Sequence, residues 1–255
     1  MRDAHLCNAE FVLYAKETFF RRDPRTLGKT DEGYWKAERR VELSSDRRDS
    51  NRAELDLPPL IGEELGIAKD ARYYNFDVRP AVQYWLSLQG FEEEYHSDFC
   101  AWTGIEMNDL ICPYLTIDFC DEDHCYVFAE NKVAASGAVA LYNRYLLKRK
   151  AVKLSRGSWS ERHTILLKHY GVTFKKKDMC LIWCFTPVLS GEFEWAGCTM
   201  AKVCYLCLTD SMGVWDIPRL IDWINEIHCW GLTVHGPGIA EDFDVCQSIV
   251  RCWAN

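Results

Sequence analysis

Asp98 and Asp118 are the residues whose type and placement point to chemistry. Asp98 opens the short segment Asp98-Phe-Cys-Ala-Trp102, after the polar lead-in Phe91 to Ser97. Asp118 stands near the end of Cys112-Pro-Tyr-Leu-Thr-Ile-Asp-Phe119, the stretch richest in strand formers. If both segments are strands and pair as a hairpin, the two carboxylates converge at one edge of a sheet. Two carboxylates plus a backbone carbonyl make a hard, oxygen-rich set suited to Mg²⁺. Such an ion activates water and neutralises charge on a phosphodiester. The plain alternative is a pair of solvated strand-end caps.

A second constellation is electrostatic. The formal net charge is −8, yet residues 144–177 carry 11 basic side chains and one acidic one, Glu161. This segment is +10 and the rest of the chain −18. Its cations are Arg144, Lys148, Arg149, Lys150, Lys153 and Arg156, then Arg162, Lys168 and the run Lys175-Lys176-Lys177. Such asymmetry marks an anionic partner, with sequence-independent phosphate contacts as the expected chemistry. A solvated helix face followed by a basic turn is the bland alternative.

The 13 cysteines are odd in number and irregularly spaced. Cys204-Tyr-Leu-Cys207 has a zinc-like spacing, and Cys120, His124 and Cys125 cluster. In a strand, however, positions i and i+3 face opposite sides, and no second C-x₂-C follows at ribbon spacing. His163, His169, His228 and His235 are available for Cys–His catalysis without a local motif. Buried, reduced thiols are the default reading.

These residues must be positioned by an α/β core. Phe128 to Lys150 is the clearest helix. Its first half is rich in Ala, Ser and Gly, which lets it approach a sheet closely, and its second half ends on cations, as suits a helix C-terminus. Strands are expected at 71–78, 98–102, 112–119, 180–185 and 199–208. Further helices are expected at 32–43, at 160–170 with Gly171 as its stop, and at 218–230 stopped by Gly231. The order implies a sheet with mixed pairing. Residues 1–58 read as a charged N-terminal arm, partly helical or disordered, and 59–255 as the globular domain.

In element order and in the motifs 71–78, Ser97 to Trp102, Pro113 to Cys120, Ala129 to Tyr142 and Trp230 to Gly238, the chain resembles the PD-(D/E)XK nuclease-like domain of fungal proteins. The resemblance runs from about residue 70 to residue 235. It implies a restriction-endonuclease-like mixed β-sheet flanked by helices. It also implies that Asp98 and Asp118 bind Mg²⁺ as the two motif acids. The motif lysine falls on Cys120, and a thiol, mostly neutral near pH 7, cannot replace it. Lys132, at a helix position from which some relatives supply the cation, is the substitute; its plain reading is a solvated lysine. Glu38 or Glu32 is the acid that an N-terminal helix contributes in such sites.

The expected function is therefore nucleic-acid binding on a nuclease-like scaffold, with Mg²⁺-dependent phosphodiesterase activity weakened or lost. The alternative is a protein-interaction module, an effector or scaffold, that kept the fold and abandoned the site. With 255 residues the chain has room for a core without staples. Its longest apolar runs fall short of a membrane span, and its start lacks an apolar signal segment. A cytoplasmic or nuclear setting is expected.

Overall fold

The computed structural model describes residues 35–38, 43–44, 53–54, 77–78, 80–87, 110–120, 126–175, 179–208 and 216–254. A six-stranded mixed sheet organises them. Its strands are β1 (Trp35–Glu38), β5 (Val82–Ser87), β6 (Leu110–Cys120), β7 (His169–Lys175), β8 (Met179–Leu189) and β9 (Trp195–Cys207), adjacent in that order. Antiparallel pairing holds everywhere except between β6 and β7, which run parallel. Helix α1 (Tyr126–Leu154) makes the crossover that a parallel pair requires. Three short strands, β2 (Leu43–Ser44), β3 (Ala53–Glu54) and β4 (Asp77–Val78), form a separate small sheet. The chain is thus α/β, with a mixed sheet flanked by helices.

The two sheet faces are covered differently. On one, Ile117, Phe119, Val172 and Ile182 pack with Leu220, Ile224 and Ile227 of helix α3 (Asp216–Trp230). On the other lies α1, whose Val133 and Leu141 cluster with Phe185 of β8. The small residues of α1 act as the sequence implies: a Cβ on Gly137 would lie 2.8 Å from the Phe185 ring. Gly171 is tighter still, with a Cβ there only 2.4 Å from Val133 Cγ1. Gly171→Ala is therefore expected to destabilise the fold by about 1–3 kcal/mol, the usual range for overpacking. A thermal midpoint within about 2 °C of the parent would refute that contact.

Four sequence expectations are corrected. Within the helix expected over 32–43, the described residues Trp35–Glu38 are instead a strand, β1, paired with β5 from Trp35↔Leu86 to Glu38↔Gln83. Cross-strand pairing there overrides local helix preference. Residues 160–170 split into a six-residue helix α2 (Glu161–Leu166) and the start of β7, so Gly171 is a buried strand residue rather than a helix stop. Gly231 does not end α3 either. The chain continues through a π-helical turn, Gly231–His235, into helix α4 (Gly236–Ala254). The Gly231 position admits no side chain because the Tyr114 ring lies 2.7 Å from where its Cβ would be. Finally, the antiparallel neighbour of β6 along Leu110–Ile117 is β5, not the 98–102 segment. That segment and residues 71–76 lie outside the described residues.

Candidate functional site

Asp118 sits near the C-terminal end of β6, on the sheet face that α1 covers, and is 3% exposed. A carboxylate so far from water needs hydrogen bonds and a counter-charge. The structure supplies both. Oδ1 accepts the Phe119 backbone N–H at 2.8 Å, and Lys132 Nζ lies 3.2 Å from Oδ2. Lys132 is in the second turn of α1, with its side chain 47% exposed, so its stem reaches inward while part of it stays wet. The geometry brings together the two residues that the resemblance pairs across the strand-to-helix connection.

Cys120 follows two residues later on the same strand and the same face, and is buried. Across the parallel pair, Asp118 is in register with Thr173 and Cys120 with the half-buried Lys175. Thr173 Oγ1 accepts the Trp183 indole N–H at 3.0 Å, which fixes the β7–β8 side of the site. Neither Thr173 nor Trp183 was singled out by sequence: nothing local marks them, and only the parallel register places Thr173 beside Asp118.

The other expected site residues are placed differently. Asp98, the second expected metal ligand, lies outside the described residues, as do Glu32, His124, Cys125, Lys176 and Lys177. Glu38 is on β1, in register with Gln83, which is itself in register with Thr116 of β6. It is thus carried by a strand rather than a helix, two strand spacings or about 10 Å from β6.

The described residues do not by themselves fit a divalent cation. They offer one carboxylate at this place, and Lys132 already takes one of its oxygens. Among the described residues, no group of three or more His, Cys, Asp or Glu is arranged to hold a metal. Zinc at Cys204 and Cys207 meets the strand geometry anticipated above, with Cys204 buried and Cys207 half-buried on β9. Burial pushes the Cys112 thiol up to about 12, Cys246 up to about 11, and Cys180 well above the ordinary thiol value, so these groups stay protonated.

The histidines are engaged elsewhere. His169 Nδ1 lies 3.1 Å from the Pro113 carbonyl, which can only accept, so Nδ1 carries the proton. Nε2 then accepts from Thr116 Oγ1 at 2.9 Å, and Thr116 Oγ1 accepts from Gln83 Nε2 at 3.1 Å. His163 Nδ1 accepts the Ser160 backbone N–H, His228 Nδ1 is 2.9 Å from the Tyr114 hydroxyl, and His235 Nε2 is 3.4 Å from the Cys112 carbonyl.

The basic stretch divides into three places. Arg144 and Lys148 leave the expected phosphate-binding surface. They are 5% and 8% exposed, and both bond Asp242 of α4 at 2.6 Å. Their charge is directed into the protein. Arg149, Lys150, Lys153 and Arg156 lie at the far end of α1; Arg149 pairs with Glu194, and Lys150, Lys153 and Arg156 are exposed. Lys153 is about 30 Å along the helix from Lys132, at 1.5 Å per residue. Lys175 ends β7 beside Cys120, at the same end of the sheet as Asp118.

No family model, curated protein or solved structure matches this chain. Among the described residues, no helix is long and apolar enough to cross a membrane.

Proposed function

We propose that this chain is a nuclease-like nucleic-acid-binding protein whose Mg²⁺-dependent phosphodiesterase site is degenerate. The observation that carries the reading is the Asp118–Lys132 pair. The buried carboxylate of β6 faces the ammonium group of the crossover helix at 3.2 Å, with an uncharged thiol two residues further on. The resemblance to PD-(D/E)XK domains leads one to expect an acid and a lysine on the strand; here the strand lysine is replaced by Cys120 and the lysine comes from the helix, as in some relatives. Here the lysine neutralises the acid directly, where a metal ion would otherwise do so. A Mg²⁺ site would require a second carboxylate, for which Asp98 is the candidate, and release of Asp118 from Lys132. Lys175, with Lys176 and Lys177 next in sequence, would bring positive charge to the same end of the sheet.

The test has two arms. Changing Lys175, Lys176 and Lys177 together to Glu is expected to weaken oligonucleotide affinity at least tenfold at low salt. The log of the parent's affinity is expected to fall linearly with log salt, by about 0.9 per phosphate contact on duplex DNA. Absence of binding at low salt overturns the reading. In the second arm, the parent is expected to show no Mg²⁺-dependent cleavage. Cleavage that Asp118→Ala abolishes would show an intact enzyme instead.

One observation favours the alternative of a protein-interaction module. Among the described residues the 13-residue β9 is an edge strand of the sheet, with Tyr205 54% exposed and Val203 also exposed. Long apolar edges are templates for pairing with another chain. Loss of nucleic-acid binding together with partner capture by this edge would move that alternative ahead.

A further inference from the structure

Two exposed turns lie beside Trp159, and each carries an unexpected residue. Helix α1 ends in a Schellman motif: Gly157 N–H bonds the Val152 carbonyl at 3.1 Å and Arg156 N–H bonds the Lys153 carbonyl at 3.2 Å. The left-handed position of that motif, usually glycine, is Arg156 at φ 53°. The β8–β9 hairpin turns through Gly191, Glu192 and Phe193, closed by Phe193 N–H to Ser190 O at 2.9 Å and Ser190 N–H to Glu194 O at 2.8 Å. Its left-handed position, again one where glycine is favoured, is Phe193 at φ 59°. A bulky residue there is strained, and such strain persists where surrounding contacts enforce it and function uses it. The Tyr145 hydroxyl holds the Phe193 carbonyl at 2.9 Å.

The strained phenylalanine is 40% exposed and lies nearly parallel to the half-buried Trp159, with ring centroids 6.3 Å apart at 27°. Trp159 rests in turn on Tyr145, at 5.5 Å. The result is an aromatic shelf on a rigid base, reached from solvent at Phe193. Lys153 and Arg156 at the end of α1 and Arg162 three residues after Trp159 are exposed, with Glu161, Glu192 and Glu194 as the exposed acids of the same turns, the last of them paired with Arg149. These cations also cover the negative end of α1, which would otherwise repel an anion. Planar groups that stack on a tolerant aromatic face, linked by phosphates that meet cations, are the chemistry of a single-stranded nucleic acid.

We propose that this end of the molecule, with Phe193 and Trp159 as the stacking shelf and Lys153 and Arg156 as phosphate contacts, binds single-stranded nucleic acid. The proposal rests on the nucleic-acid reading above and adds strandedness and a second contact surface, far along α1 from Asp118.

The test uses the turn chemistry. Phe193→Gly and Arg156→Gly place the favoured residue in each turn, so both variants are expected to fold with thermal midpoints no lower than the parent's. Fluorescence anisotropy with a labelled oligo-dT and with a duplex of equal length is the readout. The parent is expected to prefer oligo-dT. Phe193→Gly is expected to weaken oligo-dT binding about fivefold or more while sparing the duplex, because it removes a stacking ring. Arg156→Gly is expected to weaken binding and reduce the salt slope by about one phosphate contact. Equal affinity of parent and Phe193→Gly for oligo-dT overturns the shelf while leaving duplex binding intact. So does a lowered midpoint with unchanged binding, which would make Phe193 a packing residue. Binding of neither probe overturns the nucleic-acid reading itself.

Discussion

Asp242→Ala is expected to lower the unfolding free energy by about 3–5 kcal/mol, the loss typical of breaking a buried ion pair. Two cations share this one carboxylate. Arg144 Nη1 meets Oδ2 and Lys148 Nζ meets Oδ1, each at 2.6 Å, and Arg144 Nη2 also donates to the Gly238 carbonyl at 3.0 Å. All three charged side chains are buried. Removing the acid leaves two cations, one helical turn apart on α1, facing each other without the counter-charge that offsets their desolvation. Arg144→Met or Lys148→Met is expected to lose less, because the remaining cation keeps a one-to-one partner. For a chain of this size the Asp242→Ala loss corresponds to about 6–20 °C in thermal midpoint. Urea unfolding followed by tryptophan fluorescence is the check, and a loss under about 1 kcal/mol would mean that the cations reach water. The clamp also bears on the candidate site. It ties the far half of α1 to α4, and α1 is the helix whose second turn presents Lys132 to Asp118.

The elements legible in the sequence are those whose own residues determine them. β6 reads as a strand because Tyr114 to Phe119 is dense in strand formers, and α1 reads as a helix because a long run of good helix formers includes small residues where the sheet comes close. β8 and β9 were legible for the same reason as β6. β5 was not, because Pro80 suggests an end and because Gln83 and Ser87 interrupt the apolar run; both prove to be buried on the sheet. Only His169 and Tyr170 of β7 fall in the stretch that reads as a helix; the strand is defined by pairing with β6 after a crossover that includes the 29-residue α1. α4 was hidden by Gly236-Pro237-Gly238, which locally resembles a loop. The chain nevertheless enters α4 already helical: Gly236 is at φ −60° and its N–H bonds the Gly231 carbonyl across the π-helical turn, a continuity that Gly-Pro-Gly does not announce locally. The site shows the same division. Asp118 was found by its place on a strong strand. The inward turn of Arg144 and Lys148 could not be read, because Asp242 lies 98 and 94 residues further along the chain.

Acidification from pH 7 to pH 5 is expected to cost the fold about 2 kcal/mol through His169 alone, rising to about 3 kcal/mol at pH 4. Burial lowers His169 from 6.5 to about 4, outweighing the opposing effect of its bond to the Pro113 carbonyl. The sign follows from which state takes up protons. Above pH 6.5 the ring is neutral in both states and the fold loses nothing. Below it, the unfolded chain binds a proton that the folded chain refuses until about pH 4, so stability falls through that window. His235 adds to the same trend: burial first, and then the positive charge of Arg144, hold it well below its ordinary value. The interval from pH 6.5 to 5 separates this effect from carboxylate titration, since ordinary Asp and Glu remain ionised there. His169→Gln removes the titrating ring, so it is expected to be less stable at pH 7 yet to show a shallower loss on acidification. Chemical unfolding at pH 7, 6 and 5 measures both. A parent whose stability is flat across that interval would place the His169 ring in contact with water, and the Gln83–Thr116–His169–Pro113 chain of hydrogen bonds would have to be redrawn.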